Sequence, residues 1–364
     1  MKKFLALVLA TFMLLGTTAA LAEGPIQIDI FYCDYSDTYM GTVRAAMEEQ
    51  LDALADKFTY QEYDGRLDQA TQTKDVETAL TRGTDLLVMN IVTTGSEEAA
   101  QNIVDMAKEK GVPVIFFNRE VTDAVINSYD ACAFVGTDAD EAGYMEGQAI
   151  AEFLLADGNL EKYDVNGDKE IAYVMFRGEL GNPEAFGRTK YSVFEANRLL
   201  EGSGYKLVPS KANQEDATQP DDGISPFYLY GNWSAANAKN LMDTALTTYG
   251  LDNGDIELII ANNDDQGLGA IESMNEVGYN TGEEGCGYIP VFGVDATIVA
   301  QDAIRNGKMT GSVKQDAVGM AAYIIRLASN IQAGESLGTG TEELNWDENV
   351  AKVRVPYSVF TGVE

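Results

Sequence analysis

The chain has 364 residues, 45% of them hydrophobic, with 25 Lys+Arg against 58 Asp+Glu and a formal charge of −33. That length suits two domains rather than one core. The acidic balance excludes nucleic acid and anionic lipid as partners, because both need a basic face, and it favours a soluble monomer. The absence of histidine removes Ser-His-Asp catalysis, Cys-His catalysis and His-ligated zinc together.

Residues 1–22 read as a signal peptide. Lys2 and Lys3 form a basic start, residues 4–15 an apolar run, and Ala20-Leu21-Ala22 a small-x-small cleavage site before Glu23. No Cys follows the cleavage site, so it is not a lipobox. The expected location is a periplasm or the medium. No later run is long enough to span a membrane.

Beyond Glu23, strand signals alternate with helix-length segments. A strand is expected over 26–32 and a helix over 41–55, with Val43, Met47, Leu51 and Leu54 at helical spacing. Helices over 76–82 and 97–110 precede strands beginning at Leu86 and Val112. Gly83, Gly111 and Gly307 follow helical segments near a Lys or Arg, as C-terminal stops do. A helix over 141–155, a strand over 171–176, a helix over 189–200 and a strand over 205–208 follow. Residues 210–231 interrupt the rhythm with a polar half and an aromatic half, Phe227, Tyr228 and Tyr230. Helices over 235–249, 268–277 and 298–306 then alternate with strands starting at Leu258 and Val291. A polar connector over 334–349 precedes a short strand over 353–355. Such alternation means α/β with parallel sheets.

Four apolar runs end in an amide or carboxylate: at Asn90, at Asn118, at Asn262-Asn263-Asp264 and at Asp295. Open α/β sheets bind ligands just outside strand carboxyl ends. Asn and Asp there also cap the following helix, so each residue has two readings. Asp37 and Tyr39 follow the first strand, and Trp233 stands before a helix. Aromatic rings for the apolar faces of a pyranose, with carboxylates, amides and Arg for its rim, are the types a sugar site uses. Glu184 and Arg188, four apart, make a surface ion pair or aim two charged groups into one cleft.

Asp164-Val165-Asn166-Gly167-Asp168-Lys169-Glu170 begins like a calcium loop, D-x-[DN]-x-[DN]. Lys169 replaces the turn glycine, Ala172 lacks a side-chain oxygen, and position twelve is Met175. An acidic surface turn is the other reading. Cys33, Cys132 and Cys286 form at most one disulfide, and small buried side chains are the expectation.

Taken in order, Tyr35-Ser36-Asp37-Thr38-Tyr39-Met40, Val112-Pro113-Val114-Ile115-Phe116-Phe117-Asn118, Val135-Gly136-Thr137-Asp138, Ile260-Ala261-Asn262-Asn263-Asp264, Pro290-Val291-Phe292-Gly293-Val294-Asp295 and Val353-Arg354-Val355-Pro356-Tyr357 resemble the type I periplasmic sugar-binding proteins of ABC importers, the galactose/glucose-binding group in particular. The resemblance runs from Ile28 to Tyr357. It implies two Rossmann-like lobes, each a parallel sheet flanked by helices, joined by three crossovers. The expected lobes are 23–115 with 316–353, and 116–315 with 354–364. It puts Tyr39 and Trp233 on the stacking aromatics, and Asp37, Asn90, Arg188, Asn263 and Asp295 on identical polar ligands. Asn182 replaces a His, Glu184 an Asp and Gln315 an Asn. It gives Asn118 a hinge role and leaves Asn262 and Asp264 to brace Asn263. It also implies a structural Ca2+ held by Asp164, Asn166, Asp168, Glu170 and Glu257, weakened by Ala172 or completed by water.

The function so implied is capture of a galactose- or glucose-like aldose and its delivery to an ABC permease and a chemoreceptor, with no catalysis. A pentose or other sugar is the alternative ligand. The remote alternatives are a glycosidase using Asp37 and Asp295 and a sugar-responsive repressor, which would need a basic DNA-binding helix.

Overall fold

The computed structural model describes residues 24–94, 96–156, 158–215 and 227–362. The expected signal peptide and residues 216–226 of the interruption lie outside them. The chain begins β1 (Ile26–Tyr32), α1 (Thr38–Asp52), β2 (Phe58–Asp64), α2 (Gln69–Arg82), β3 (Leu86–Met89), α3 (Glu97–Lys110), β4 (Val114–Phe117), α4 (Asp123–Asn127) and β5 (Cys132–Gly136). It continues through α5 (Ala139–Leu155), α6 (Asn159–Tyr163), β6 (Glu170–Arg177), α7 (Pro183–Leu200), β7 (Lys206–Pro209), α8 (Lys211–Glu215), β8 (Leu229–Tyr230), α9 (Ala235–Tyr249), β9 (Leu258–Ala261), α10 (Asp264–Glu276), β10 (Val291–Asp295), α11 (Ile298–Arg305) and β11 (Gly311–Gln315). It ends with α12 (Ala317–Gln332), β12 (Lys352–Arg354) and β13 (Tyr357–Phe360).

The strands form two sheets, ordered β12-β5-β4-β3-β1-β2 and β13-β11-β10-β9-β6-β7, with β8 beside β6. Their central strands are buried along their whole length, so they are apolar without alternation. Parallel pairing forces each return through a helix, and those helices cover both faces. In the first lobe, Ile28, Val43, Met320 and Leu327 pack on one face, and Phe31, Leu87, Ile103 and Phe116 on the other. In the second, Phe176, Met242 and Ile259 pack opposite Ile150, Tyr173 and Leu200. The architecture is therefore the two-lobed α/β fold expected. Gly83 and Gly111 end α2 and α3 in left-handed conformation, as their positions imply.

The chain changes sheet after Gly136, again between Gln315 and Ala317, and last between Arg354 and Tyr357. The first change corrects the expected boundary at 115/116. β4 and β5 pair in register, Val114 with Cys132 through Phe117 with Val135, so both belong to the first sheet. All three cysteines are free. Cys33 and Cys132 are buried, but Cys286 is partly exposed, against expectation.

Candidate ligand-binding site

The carboxyl ends of the two sheets face each other across a cleft. Its inner cavity is about 440 Å3, counting the solvent it opens to. Asp37, Tyr39, Asn118 and Arg119 line it from the first lobe, and Asn182, Glu184, Arg188, Trp233, Asn263, Asp295 and Gln315 from the second. Nine of the ten residues singled out as sugar ligands in the sequence thus meet at one place.

The two readings of the strand-end residues coexist. Asp37, Asn182 and Asn263 are the N-caps of α1, α7 and α10. They accept N–H bonds from Met40, from Glu184 and Ala185, and from Gln266, while still facing the cavity. In Asp37 and Asn182 one end of the side chain satisfies a helix start, and the other is left for a ligand. Asn263 also donates from Nδ2 to the Trp233 carbonyl at 3.2 Å, which fixes the aromatic wall.

Three cavity residues have left-handed backbones: Asn118 (φ 58°), Trp233 (φ 63°) and Asp295 (φ 115°). Such conformations cost on the order of 1–3 kcal/mol each and persist only when neighbours impose them. At Asp295 the neighbours are identifiable. The Thr297 N–H donates to Asp264 Oδ2 at 2.7 Å, the Ala296 N–H to Ser312 Oγ at 2.9 Å, and Ser312 Oγ to Asp264 Oδ1 at 2.6 Å. Asp264 therefore braces the Asp295 loop as well as following Asn263. Asn262 lies behind the cavity, where its Oδ1 accepts from the Gly178 N–H and the Thr189 hydroxyl.

Arg188 is the charged centre. Its Nη1 donates to the Asn262 carbonyl at 2.8 Å and lies 3.7 Å from Asp295 Oδ1. Its Nη2 lies 3.0 Å from Glu184 Oε2 and donates to the Tyr357 hydroxyl at 3.1 Å. Its guanidinium stands 5.7 Å from the centre of a Trp233 ring. Burial alone would lower the Arg188 pKa, but Tyr357, Glu184 and Asp295 hold it above its usual value. Burial pushes Asp295 well above the ordinary carboxylate range against the pull of Arg188, and Asp264, Asp37 and Asp265 add to the rise. Asp37 is also raised, chiefly by burial between the lobes.

The three crossovers converge on this centre. Thr137, from the first, donates to Glu184 Oε1 at 2.7 Å. Gln315, from the second, accepts from Arg188 Nη2 at 3.3 Å and donates to Thr137. Tyr357, from the third, has its hydroxyl 2.9 Å from Glu184 Oε2. Both Glu184 oxygens are thus engaged by hinge residues. Tyr357 and Thr137 are functional residues that the sequence reading left without a role.

Asn90 is a correction. It is fully buried and does not line the cavity. Its Oδ1 accepts the Cys33 N–H, and its Nδ2 donates to the Phe117 carbonyl and to Asn118 Oδ1. It ties the loop after β1 to the loop after β4 and so positions Asn118, which takes the cavity place and not only the expected hinge place. Arg119, also missed, points its Nη1 at the Val92 carbonyl (2.6 Å) and its Nη2 at Glu179 of the other lobe (3.1 Å). With the bond from the Thr38 hydroxyl to Asp265 at 2.8 Å, this pair bridges the cleft mouth.

The Asp164 loop is a separate structure. Asp164 accepts N–H bonds from Gly167, Asp168 and Lys169, and Glu257 accepts from Val165 and Ala172. One oxygen of the Glu170 carboxylate pairs with Lys206 at 2.8 Å. Among the described residues, no group of three or more Asp, Glu or Cys side chains is drawn together as a metal cage. The residues fit calcium in part: the side-chain donors include oxygens on Asp164, Asn166, Asp168 and Glu257, but those of Asp164 and Glu257 already accept backbone N–H bonds. Burial, and then Asp164 and Asp168, push Glu257 up to about 7.

The periplasmic binding protein domain family matches residues 28–336. The D-galactose/methyl-galactoside binding periplasmic protein MglB of Haemophilus influenzae is 31% identical over 358 residues, 98% of this chain and 96% of that one. The D-xylose-binding periplasmic protein of Escherichia coli is 23% identical, covering 92% of this chain and 86% of its own. A solute-binding protein from Bacillus halodurans, solved with bound myo-inositol, superposes with a TM-score of 0.67 at 23% identity, covering 93% of this chain and 96% of its own. No helix among the described residues is long and apolar enough to cross a membrane. The chain belongs to the periplasmic binding protein family and is a solute-binding protein, not an enzyme.

Proposed function

We propose that this protein is exported, captures a galactose- or glucose-like aldose between its lobes, and presents the closed form to an ABC-type sugar permease and a chemoreceptor. The observation that carries this reading is the inner cavity, with Tyr39 and Trp233 among a ring of carboxylates, amides and two arginines. These groups suit hydroxyls on the rim and C–H surfaces on the faces of a sugar ring. The 31% identity to a galactose-binding relative supports the hexose.

A pentose is the second reading. It is favoured by the space that the longer Glu184 and Gln315 side chains and the buried Tyr39 hydroxyl take from the cavity. Titration calorimetry with glucose, galactose, xylose, ribose and arabinose separates the two, and silence toward every aldose defeats both. Trp233→Ala and Asp37→Ala are each expected to weaken the best sugar by about tenfold or more, as loss of a stacking face or a charged hydrogen bond should. Unchanged affinity removes that residue from the site.

Calcium at the Asp164 loop is a separate proposal. Asp164, Asn166, Asp168, the Glu170 carbonyl and Glu257 would hold it, and it would neutralise the crowded carboxylates. Calcium is then expected to raise the melting temperature by a few degrees and a chelator to reverse this. Identical melting curves under both conditions would reject it.

A further inference from the structure

We infer that the cleft contains a second subsite, outside the first, for the substituent of a larger sugar. The ligand class is a neutral disaccharide whose second ring lies at the cleft mouth. This rests on the proposal that the inner cavity holds a sugar ring. An outer cavity of about 1440 Å3, counting the solvent it opens to, adjoins the inner one. The two share Asp37, Arg119, Trp233 and Asn263 in their walls, so these four side chains stand at the boundary that a linkage between two rings would cross.

Both lobes build the outer space. Asp34, Leu67 and Thr93 come from the first, and Tyr230, Asn232 and Asp265 from the second. Tyr230 stands at the end of the 210–231 interruption, which the inner site leaves without a role. Tyr230 is 40% exposed, a large aromatic residue beside a polar wall. The Tyr230 hydroxyl donates to Asn232 Oδ1 at 2.9 Å, which fixes the ring against the segment leading to Trp233. An aromatic face with carboxylate, amide and hydroxyl neighbours repeats the composition of the inner site.

Charge narrows the class. The outer wall carries Asp34, Glu179 and Asp265 against Arg119, and Arg119 is already paired with Glu179. A phosphate or uronate substituent would meet uncompensated carboxylates, so a sugar phosphate or a nucleotide sugar is excluded and a neutral ring is accommodated. A second ring here would touch both lobes and so reinforce closure.

The test is titration calorimetry on the mature protein with free galactose and glucose, their methyl glycosides, and lactose, melibiose, cellobiose and maltose. At least one disaccharide is expected to bind as tightly as its free hexose or more tightly. Tyr230→Ala is expected to weaken that disaccharide about tenfold while leaving the hexose within about twofold, and Tyr230→Phe to keep both. Retained hexose binding shows that the variant is folded. Hexose binding with hundredfold rejection of every substituted sugar overturns the second subsite alone, as does equal loss of both ligands in Tyr230→Ala. Failure to bind any sugar overturns the inner-site reading and this one with it.

Discussion

Replacing Arg188 by methionine is expected to abolish measurable sugar binding and to lower the melting temperature by roughly 10 °C. Arg188 is 3% exposed, and its guanidinium stands among Glu184, Asp295, Tyr357, Gln315 and the Asn262 carbonyl. Methionine keeps much of the stem but leaves two buried carboxylates without their cation. Breaking a buried pair in this way costs about 3–5 kcal/mol, and each kcal/mol is worth about 2–4 °C in a domain of roughly 200 residues. Adding Glu184→Gln should recover part of the stability, because it removes one stranded charge, but should not restore binding. The double variant separates a folding defect from a ligand defect. Calorimetry and thermal denaturation check both, and affinity within threefold of the parent would remove Arg188 from the site.

That centre was only half legible in the sequence. Glu184 and Arg188 stand four apart on one helix, so their pairing follows from helical geometry. Their link to the hinges does not. Thr137 lies 178 residues before Gln315 and 220 before Tyr357, and the three meet because three crossovers pass through one place. The central strands were legible because burial on both faces makes them plain apolar runs. β2, with the sequence FTYQEYD, was not, because it is a sheet edge with mixed burial. β5 was missed as a strand, and that omission displaced the first lobe boundary. Helix α12 was missed although it is strongly apolar; its buried face, Met320, Ile324 and Leu327 among others, packs against the first sheet. Asn90 and Asn118 exchanged expected places for a similar reason. Both end apolar strands, but only the structure shows that Asn90 is spent on Cys33 and Phe117, whereas the left-handed backbone of Asn118 belongs to a residue that lines the cavity.

Gly178→Ala is expected to weaken sugar binding by about 10- to 100-fold while leaving the fold intact. Gly178-Glu179-Leu180-Gly181 is glycine-rich without the spacing of a phosphate loop. The structure supplies another reason for the first glycine: a Cβ there would lie 2.3–2.5 Å from three carbons of the Trp233 indole. The indole cannot retreat by moving its backbone. The Trp233 carbonyl accepts from Asn263 Nδ2, and the neighbouring Asn232 N–H donates to the Arg177 carbonyl. The ring must therefore tilt, and the stacking wall moves with it. Overpacking of this kind costs about 1–3 kcal/mol, and losing that amount from the bound state gives the stated range. The protein has two tryptophans. Trp346 packs against the first-lobe core with its indole N–H on Thr341, so a sugar-dependent fluorescence change reports Trp233. Gly178→Ala should alter that signal as well as the affinity. Parental affinity with an unchanged ligand-induced spectrum would show that the indole does not form the wall of the sugar site.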